Sequence, residues 1–217
     1  TIFWFMLLTD PRKWLADQIL RGHVMARRLT TDNYMTRPLI YGMLLGAGLA
    51  AAWPTQAAMT VTTGVVYGVG AVNAHSTPAT RSLLLDVYRP DPPTAAHGGA
   101  MVLVHGGSFT SGSRATADML DAAQYFTAVG WTCFSIDYRL VPDDPPAPPW
   151  VEVYTNPVFN AAHAAMVDTK RAVRWLRTHA TDYGCALHRV AGLGHSAGAY
   201  CIIQACITDE DTFANDA

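Results

Sequence analysis

Two kinds of hydrophobic pattern alternate along the chain from residue 58 onward. Short continuous or alternating apolar runs are typical of β-strands, whereas longer runs with apolar residues three or four positions apart are typical of helices. Runs of strand type cover residues 65–72, 82–88, 100–104, 131–136 and 188–193. Runs of helical type cover residues 115–129, 161–183 and 197–207. From residue 100 the two types alternate, and this order predicts an α/β fold with a parallel sheet and helical crossovers.

The segments between these runs carry residues that stop regular structure. Gly130 and Gly184 directly follow the first two helical runs, where glycine ends a helix because it adopts the left-handed conformation easily. Residues 141–149 contain five prolines, each of which removes a backbone donor, so we expect an irregular surface loop there. Within the run 161–183, these charged residues fall mostly opposite the apolar side: Asp168, Lys170, Arg171, Arg174 and Arg177.

Residues 35–57 have the layout of a secretory signal peptide. A start with one arginine is followed by the apolar run 39–52, then by a proline and small residues. About 14 apolar residues are fewer than the roughly 20 that span a bilayer, and a membrane anchor or a buried helix is the alternative. Because Thr55 and Ala57 place small residues at the two positions that a signal peptidase inspects, we predict cleavage after Ala57.

This interpretation divides the chain into three parts. Residues 1–34 are expected to be a non-native or upstream extension, residues 35–57 the signal peptide, and residues 58–217 the folded domain. The protein is then expected to be secreted or periplasmic and to meet a membrane only during export.

The composition excludes some classes of function. Half of the 217 residues are hydrophobic and 15% are charged, which is typical of a globular domain. The net charge of -2 leaves no basic excess, so no nucleic-acid partner is expected. No cysteine or histidine cluster has the spacing of a metal site, and no metal is predicted. Four cysteines permit a disulfide in an exported chain, but buried free thiols are the simpler interpretation: Cys133, Cys185, Cys201 and Cys206.

A serine between two glycines marks the junction of the last predicted strand and the last predicted helix. Residues 194–198 read Gly-His-Ser-Ala-Gly, which is the nucleophile-elbow pattern in the context that this motif requires. The turn is so sharp that a side chain at Gly194 or Gly198 is expected to clash, and it raises the Ser196 hydroxyl toward a base. A chance glycine-rich turn is the alternative.

A second glycine-rich segment follows the predicted strand at 100–104. His105, Gly106 and Gly107 open it, at the place where enzymes with such an elbow carry part of their oxyanion hole. Glycines there let backbone N–H groups approach a developing negative charge without obstruction. The N–H groups of Gly106, Gly107 and Ala197 are therefore the candidate oxyanion hole, with His105 bracing the loop. An ordinary glycine turn is the alternative.

Four segments follow one another in a specific order: residues 105–109 with Gly112, residues 137–140, Asp168 with residues 172–176, and residues 194–198. Together they resemble the carboxylesterase and hormone-sensitive-lipase-like branch of the α/β-hydrolase superfamily, over roughly residues 65–207. The resemblance implies a mostly parallel sheet with flanking helices and ester hydrolysis without a cofactor. Ser108 stands where lipase-like members often have a third glycine, and the segment 141–160 looks longer than usual. Both departures leave the substrate class open.

The resemblance also implies the chemical roles. Ser196 would form an acyl-enzyme with a small-molecule ester, which we expect to be a short-chain or aryl ester. A peptidase or lipase on the same fold is one alternative, and a non-catalytic hydrolase-like ligand-binding protein is the other. The acid and histidine of such enzymes follow the serine, but all eight histidines precede Ser196. Both groups are therefore expected outside this chain, as if the domain were truncated after the helix at 197–207.

Other polar residues near the motifs are expected to have structural roles. His195 occupies the variable position of the elbow, where the turn should aim it away from the serine hydroxyl. Asp168 and residues 137–139 are expected to order the scaffold, since the triad acid of such enzymes follows the serine. The sequence leaves the oligomeric state open.

Overall fold

The computed structural model describes residues 4–8, 58–92, 98–151, 156–186 and 189–209. Within these residues, six strands form one sheet: β1 (Trp4–Leu8), β2 (Met59–Val72), β3 (Ala79–Pro90), β4 (Ala100–Val104), β5 (Thr132–Ile136) and β6 (Val190–His195). Three α-helices pack around it: α1 (Ala117–Ala128), α2 (Pro157–His179) and α3 (Ala197–Ile207). The predicted signal peptide at 35–57 and the predicted extension at 1–34, apart from β1, lie outside the described residues.

The sheet has a parallel centre and antiparallel flanks. Its strand order is β1-β6-β4-β5-β3-β2. β4 lies between β5 and β6 and runs parallel to both. β3 pairs antiparallel with β5, β2 with β3, and β1 with β6. The alternation of strand and helix from β4 to α3 confirms the predicted α/β fold.

The register brings three strand ends to one edge of the sheet. Val104, the last residue of β4, pairs with Ile136 at the end of β5 and with Gly194 near the end of β6. The segments that leave these strands therefore begin side by side. In open α/β sheets, this carboxyl edge is where ligands bind.

Both faces of the central strands are covered. Val102 and Val104 of β4 belong to a buried cluster with Leu176 of α2 and Ile202 of α3. Met101, which alternates with them, is also fully buried, and successive side chains of a strand point to opposite faces. On β5, the Cys133 thiol faces a carbonyl of α1. A strand buried on both faces explains the continuous apolar run at 100–104.

Helix α2 begins at Pro157 rather than at residue 161, where the hydrophobic pattern predicts its start. The Asn156 side chain accepts a hydrogen bond of 2.8 Å from the Val158 N–H, which caps the helix. Proline is favoured at the first helical position because its missing N–H would have no partner there. The helix gives way to a 3₁₀ turn at Ala180–Tyr183, which ends at Gly184 with a φ of +70°.

The sequence analysis predicted an irregular loop at residues 141–149, but part of this proline-rich segment is regular. A 3₁₀ turn covers Val141–Asp143, with a proline in its first positions. The Asp143 carboxylate accepts a hydrogen bond of 2.8 Å from the Leu140 N–H, which supplies the cap that the pattern did not indicate. Pro145 and Pro148 are buried, so the segment packs against the domain instead of extending into solvent.

Two charged residues that the helical pattern places opposite the apolar side of α2 are buried. Asp168 is fully buried and Lys170 is 5% exposed. Asp168 pairs with Arg139, and the Lys170 ammonium donates a 2.8 Å hydrogen bond to the Thr208 hydroxyl. These partners come from other parts of the chain, so the helical pattern of α2 alone does not reveal them.

The four cysteines are free thiols in the described structure. Cys133, Cys185 and Cys201 are buried, as predicted, and burial raises the pKa of each thiol. Cys206 is exposed, contrary to the expectation of a core position, because it lies in the last turn of α3. None of the described helices has the length and apolar character needed to cross a membrane.

Candidate active site

Ser196 occupies the turn between β6 and α3. Its φ of +50° and ψ of -113° lie outside the regions that residues with a side chain prefer. Holding such a conformation costs on the order of 1–3 kcal/mol, which the surrounding structure must offset. The residue is exposed. The fold therefore presents this serine at the carboxyl edge of the sheet at an energetic cost.

Both glycine positions of the elbow have no space for a side chain. A Cβ atom added to Gly194 would lie 2.3 Å from the carbonyl carbon of Gly198. A Cβ atom added to Gly198 would lie 2.0 Å from the Val104 carbonyl oxygen at the end of β4. Both distances are far below van der Waals contact with backbone atoms that cannot rotate away. The predicted clash at both glycines is confirmed.

The glycine loop after β4 folds back on itself through three consecutive residues of positive φ. These are Gly107 at +117°, Ser108 at +54° and Phe109 at +62°. The Gly107 carbonyl accepts hydrogen bonds from the Thr110 and Ser111 N–H groups, at 2.9 and 3.2 Å. The tight turn leaves no room at Gly107, where a Cβ atom would lie 2.0 Å from the Ser111 carbonyl oxygen.

The glycine loop and the elbow are in direct contact at Gly106. A Cβ atom added there would lie 3.0 Å from the His195 carbonyl oxygen and 3.3 Å from the Ser196 Cβ. Within the described residues, the N–H groups of Gly106 and Gly107 take part in none of the hydrogen bonds that hold the loop. Ala197 is the first residue of α3, so its N–H has no partner within the helix. Of the three predicted oxyanion-hole residues, Gly106 therefore lies beside Ser196, Ala197 directly follows it, and Gly107 follows Gly106 in the loop.

His105 is enclosed beneath the loop. Its imidazole is 1% exposed and stacks on the Tyr138 ring, with the centroids 4.2 Å apart. Burial lowers the pKa of His105 and keeps the ring neutral. The Nδ1–H donates a 2.6 Å hydrogen bond to the Gly106 carbonyl. Because the C=O and N–H of a peptide unit point in opposite directions, this bond fixes the direction of the Gly107 N–H. The contact agrees with the predicted bracing role of His105.

Three aromatic rings connect the loop to the elbow helix. The Tyr138 hydroxyl donates a 2.9 Å hydrogen bond to the His105 carbonyl. Phe109 lies edge-on to Tyr138 and to Tyr200, with centroid distances of 6.3 and 6.1 Å. Edge-to-face pairs at such distances are favourable. Tyr200 lies one turn after Ser196 in α3 and is 45% exposed, so it offers an aromatic surface near the serine.

The other polar residues of the predicted scaffold form buried networks. The Arg139 guanidinium donates to the Asp168 carboxylate, and the Arg139 N–H donates to the same carboxylate at 2.9 Å. The Asp137 carboxylate binds the side chain and the N–H of Arg114, whose guanidinium also bonds to Asp86. These partners hold the segments after β4 and β5 in place, as expected for scaffold residues.

His195 has a partner that the sequence analysis missed. Its Nδ1 lies 3.0 Å from the Asp118 Oδ2, in the first turn of α1. An acidic residue is favoured near a helix N-terminus, and that was the only signal at Asp118 in the sequence. The pattern gives no indication that the start of α1 reaches the elbow, because the two residues are far apart in the chain.

The described residues do not contain a base bonded to Ser196. No histidine in them makes a hydrogen bond to the Ser196 hydroxyl. His105 bonds to Gly106 and His195 to Asp118. Within the described residues, the site consists of a serine in a strained conformation and a glycine loop beside it.

Comparison with known proteins identifies relatives of this chain. The model of the BD-FAE family matches residues 85–217, which is more than half of the chain. Esterase LipC of Mycobacterium tuberculosis is 29% identical over 128 residues, covering 59% of this chain and 28% of the relative. Esterase LipQ of the same organism is 32% identical over 136 residues, covering 62% of this chain and 28% of the relative. The chain thus spans about 28% of the length of these two curated relatives.

A solved structure with a similar arrangement is a thermophilic esterase of the Planctomycetes species Thermogutta terrifontis, Est2, with butyrate bound. It is 23% identical, with a TM-score of 0.48, over 68% of this chain and 43% of that chain. The family match and the curated relatives confirm the resemblance that the motifs indicate. The chain belongs to the BD-FAE family, in the carboxylesterase-like branch of the α/β-hydrolases.

Proposed function

We propose that the whole protein is a serine hydrolase of carboxylic esters and that Ser196 is its nucleophile. The observation that carries the proposal is the contact between two separate motifs at one edge of the sheet. Gly106 touches Ser196 so closely that a Cβ atom at Gly106 would lie 3.3 Å from that of the serine. Relatives named esterases support an ester as the substrate over the peptide of a peptidase.

The proposed reaction begins with attack of the Ser196 hydroxyl on the ester carbonyl. A base removes the hydroxyl proton, and the carbonyl oxygen becomes an oxyanion. The N–H groups of Gly106, Gly107 and Ala197 would donate to that oxygen, and such donors act in the transition state where the charge develops. Collapse releases the alcohol, which takes up the proton, and leaves the acyl group on Ser196. Water then hydrolyses the acyl-enzyme by the same steps in reverse order.

The base is proposed to be a histidine that follows Ser196 in the complete gene product, oriented by an Asp or Glu. This assignment rests on the chain order of the family that the motifs resemble. His105 does not suit the role, since its Nδ1–H is engaged with Gly106 and its ring is buried against Tyr138.

Short-chain or aryl esters are the proposed substrates. The exposed ring of Tyr200 and the half-buried ring of Phe109 meet edge-to-face near the serine. Aromatic rings offer a flat apolar surface for an acyl or aryl group. Cleavage of long-chain triglycerides in preference to these esters would favour the lipase alternative.

The test is hydrolysis of p-nitrophenyl acetate and p-nitrophenyl butyrate by the complete gene product. Ser196→Ala should lower kcat by about four orders of magnitude or more, because the activated nucleophile is lost. Ser76→Ala, in the exposed turn between β2 and β3, is the matched control and should leave kcat unchanged. Activity within a few-fold of the unsubstituted protein in Ser196→Ala rejects the nucleophile. Saturable binding of esters without turnover would identify the ligand-binding alternative.

A further inference from the structure

The side chain of His195 runs from the elbow across the glycine loop to α1. Its Nδ1 is 3.0 Å from the Asp118 Oδ2. The same Nδ1 would lie 3.1 Å from a Cβ atom placed on Gly106, and the His195 carbonyl oxygen would lie 3.0 Å from it. Gly106 is thus enclosed by the backbone and the ring of a single residue. That ring reaches Asp118 on the far side of the loop.

This contact matters because of where the glycine loop is attached. The loop leaves β4 after Val104 and ends where α1 begins, at Ala117. His105 and Tyr138 hold its first residues from below. The bond between His195 and Asp118 joins its other end, the first turn of α1, to the residue next to Ser196. The loop is therefore held at both of its ends, and its last end is bonded to the residue next to Ser196.

We propose that His195 and Asp118 are a positioning pair that holds the N–H groups of the glycine loop in place over Ser196. The inference rests on the proposed function, since it assigns those N–H groups to the oxyanion. Neither residue touches the reacting atoms. Their effect is exerted through the position of Gly106 and of the N–H groups that follow it.

The geometry of the bond, rather than its charge, has the larger effect. The two side chains are 31% and 30% exposed, and an ion pair with that exposure contributes little free energy. Asp118 loses hydration on partial burial, which by itself raises its pKa, but hydrogen bonds from Thr116 and His195 outweigh this and lower the pKa. The carboxylate therefore stays ionised at neutral pH and accepts from the Nδ1–H of His195.

Loss of the pair should lower kcat and leave KM nearly unchanged. A displacement of about 1 Å between catalytic groups lowers rates up to about a hundredfold. For His195→Ala and Asp118→Ala in the complete gene product, we expect kcat to fall about tenfold to a hundredfold, with KM within about twofold. Transition-state contacts are weakened while substrate binding is retained.

Two conservative variants separate positioning from proton transfer. The Nδ2 of an asparagine lies close to the place of the histidine Nδ1 and donates the same bond. His195→Asn should therefore restore kcat to within about threefold of the unsubstituted protein, as should Asp118→Asn, which keeps an acceptor oxygen. Asparagine cannot act as a base. If His195→Asn is as impaired as His195→Ala, the positioning role is wrong.

The chain offers a matched control in a second histidine–aspartate pair. His75 Nδ1 lies 2.6 Å from Asp144 Oδ1, at exposed positions of two other loops. His75→Ala removes a pair of the same type and should leave kcat unchanged. An equal loss of kcat in His75→Ala and His195→Ala would mean that the effect is general destabilisation and would overturn the proposal.

A readout that does not depend on activity keeps this inference distinct from the proposed function. Amide hydrogen exchange of the segment 105–116 should become faster in His195→Ala and stay unchanged in His75→Ala, because only the first variant releases the loop. Unchanged exchange in His195→Ala overturns the inference even if Ser196 is the nucleophile. Faster exchange in a protein without Ser196-dependent turnover would instead contradict the proposed function and leave the structural role of the pair supported.

Discussion

Gly194 and Gly198 of the elbow and Gly107 of the glycine loop lie at the same edge of the sheet but differ in their backbone. Gly107 has a φ of +117°, whereas neither elbow glycine has a positive φ. At the elbow, a side chain is excluded by backbone atoms 2.0 to 2.3 Å away. In the loop, Gly107 combines a positive φ with a backbone oxygen, that of Ser111, 2.0 Å from its Cβ position. Ser108 and Phe109 carry side chains and adopt positive φ values at some cost.

Some positions of the two motifs therefore require glycine more strictly than others. A position closed by backbone atoms admits no residue but glycine unless the strand and helix move apart. A position that only requires a positive φ admits other residues when neighbouring contacts offset the cost of about 1–2 kcal/mol. Ser108, with a φ of +54°, is such a residue. Phe109 offsets its own cost by packing against Tyr138 and Tyr200.

The largest expected loss of stability comes from Gly198→Ala. The added methyl group would lie 2.0 Å from the Val104 carbonyl oxygen, so α3 must move away from β4. We expect the free energy of unfolding in urea to fall by about 3 kcal/mol or more. Gly64→Ala is the control, because Gly64 has a φ of +71° and open space around it. Its loss should be only about 1 kcal/mol, and equal losses would contradict the distinction between space and conformation.

A smaller loss of stability is expected from Tyr138→Phe, which removes a hydrogen bond to the glycine loop and leaves the contacts of the elbow unchanged. The variant removes the hydroxyl that donates to the His105 carbonyl at 2.9 Å. A buried carbonyl that loses its donor should cost about 1–1.5 kcal/mol in the free energy of unfolding. Tyr125→Phe, at a residue 67% exposed, should change it by less than about 0.5 kcal/mol. The same loss in both variants would show that the Tyr138 hydroxyl does not anchor the loop.

Ser108→Gly should instead raise the free energy of unfolding. It removes the cost of the positive φ at residue 108 but raises the entropy of the unfolded chain. We expect a net gain of about 0.5–1 kcal/mol in the free energy of unfolding. Ser108→Ala keeps the strained conformation and should give no gain. If both variants are equally stable in thermal unfolding, conformation is not the reason that glycine is favoured in the loop.

The smallest expected effect is a dependence of stability on pH that arises from His105. Burial lowers the pKa of His105 in the folded state below its ordinary value of 6.5. As the pH falls through that ordinary value, the unfolded chain binds a proton that the folded protein does not, so stability is lost until the folded pKa is reached. His105→Asn does not titrate and keeps a donor for the Gly106 carbonyl. Urea unfolding between pH 7 and 5 should be less pH-dependent in this variant, and an unchanged slope would contradict the argument.

The sequence was most informative where one pattern determines one element. β4 and α3 have the predicted bounds, because a continuous apolar run and a glycine-flanked serine leave little freedom. The adjacency of the two glycine motifs was also predictable from their places after parallel strands. The start of α2 was predictable in principle from Asn156 and the proline after it, but the hydrophobic pattern begins later.

The sequence was least informative where polar groups meet across the fold. Asp168 was expected to order the scaffold, but the pattern does not show that Arg139 is its partner. Asp118 looks like a helix-start residue, and its bond to His195 depends on where α1 ends up relative to the elbow. Such pairs depend on tertiary distances, which neither periodicity nor local propensity contains.

The pairing of Val104 with Gly194 also has a consequence for the order of folding. The two halves of the site are separated by about 90 residues of chain, and contacts of such long range form late because loop closure must come first. β4 and β5 are near neighbours in sequence and could pair early, but the glycine loop and the elbow cannot meet until β6 docks against β4. An early intermediate would therefore contain a glycine loop that is not yet held in its strained conformation. The contact between the glycine loop and the elbow would be among the last that a folding molecule forms.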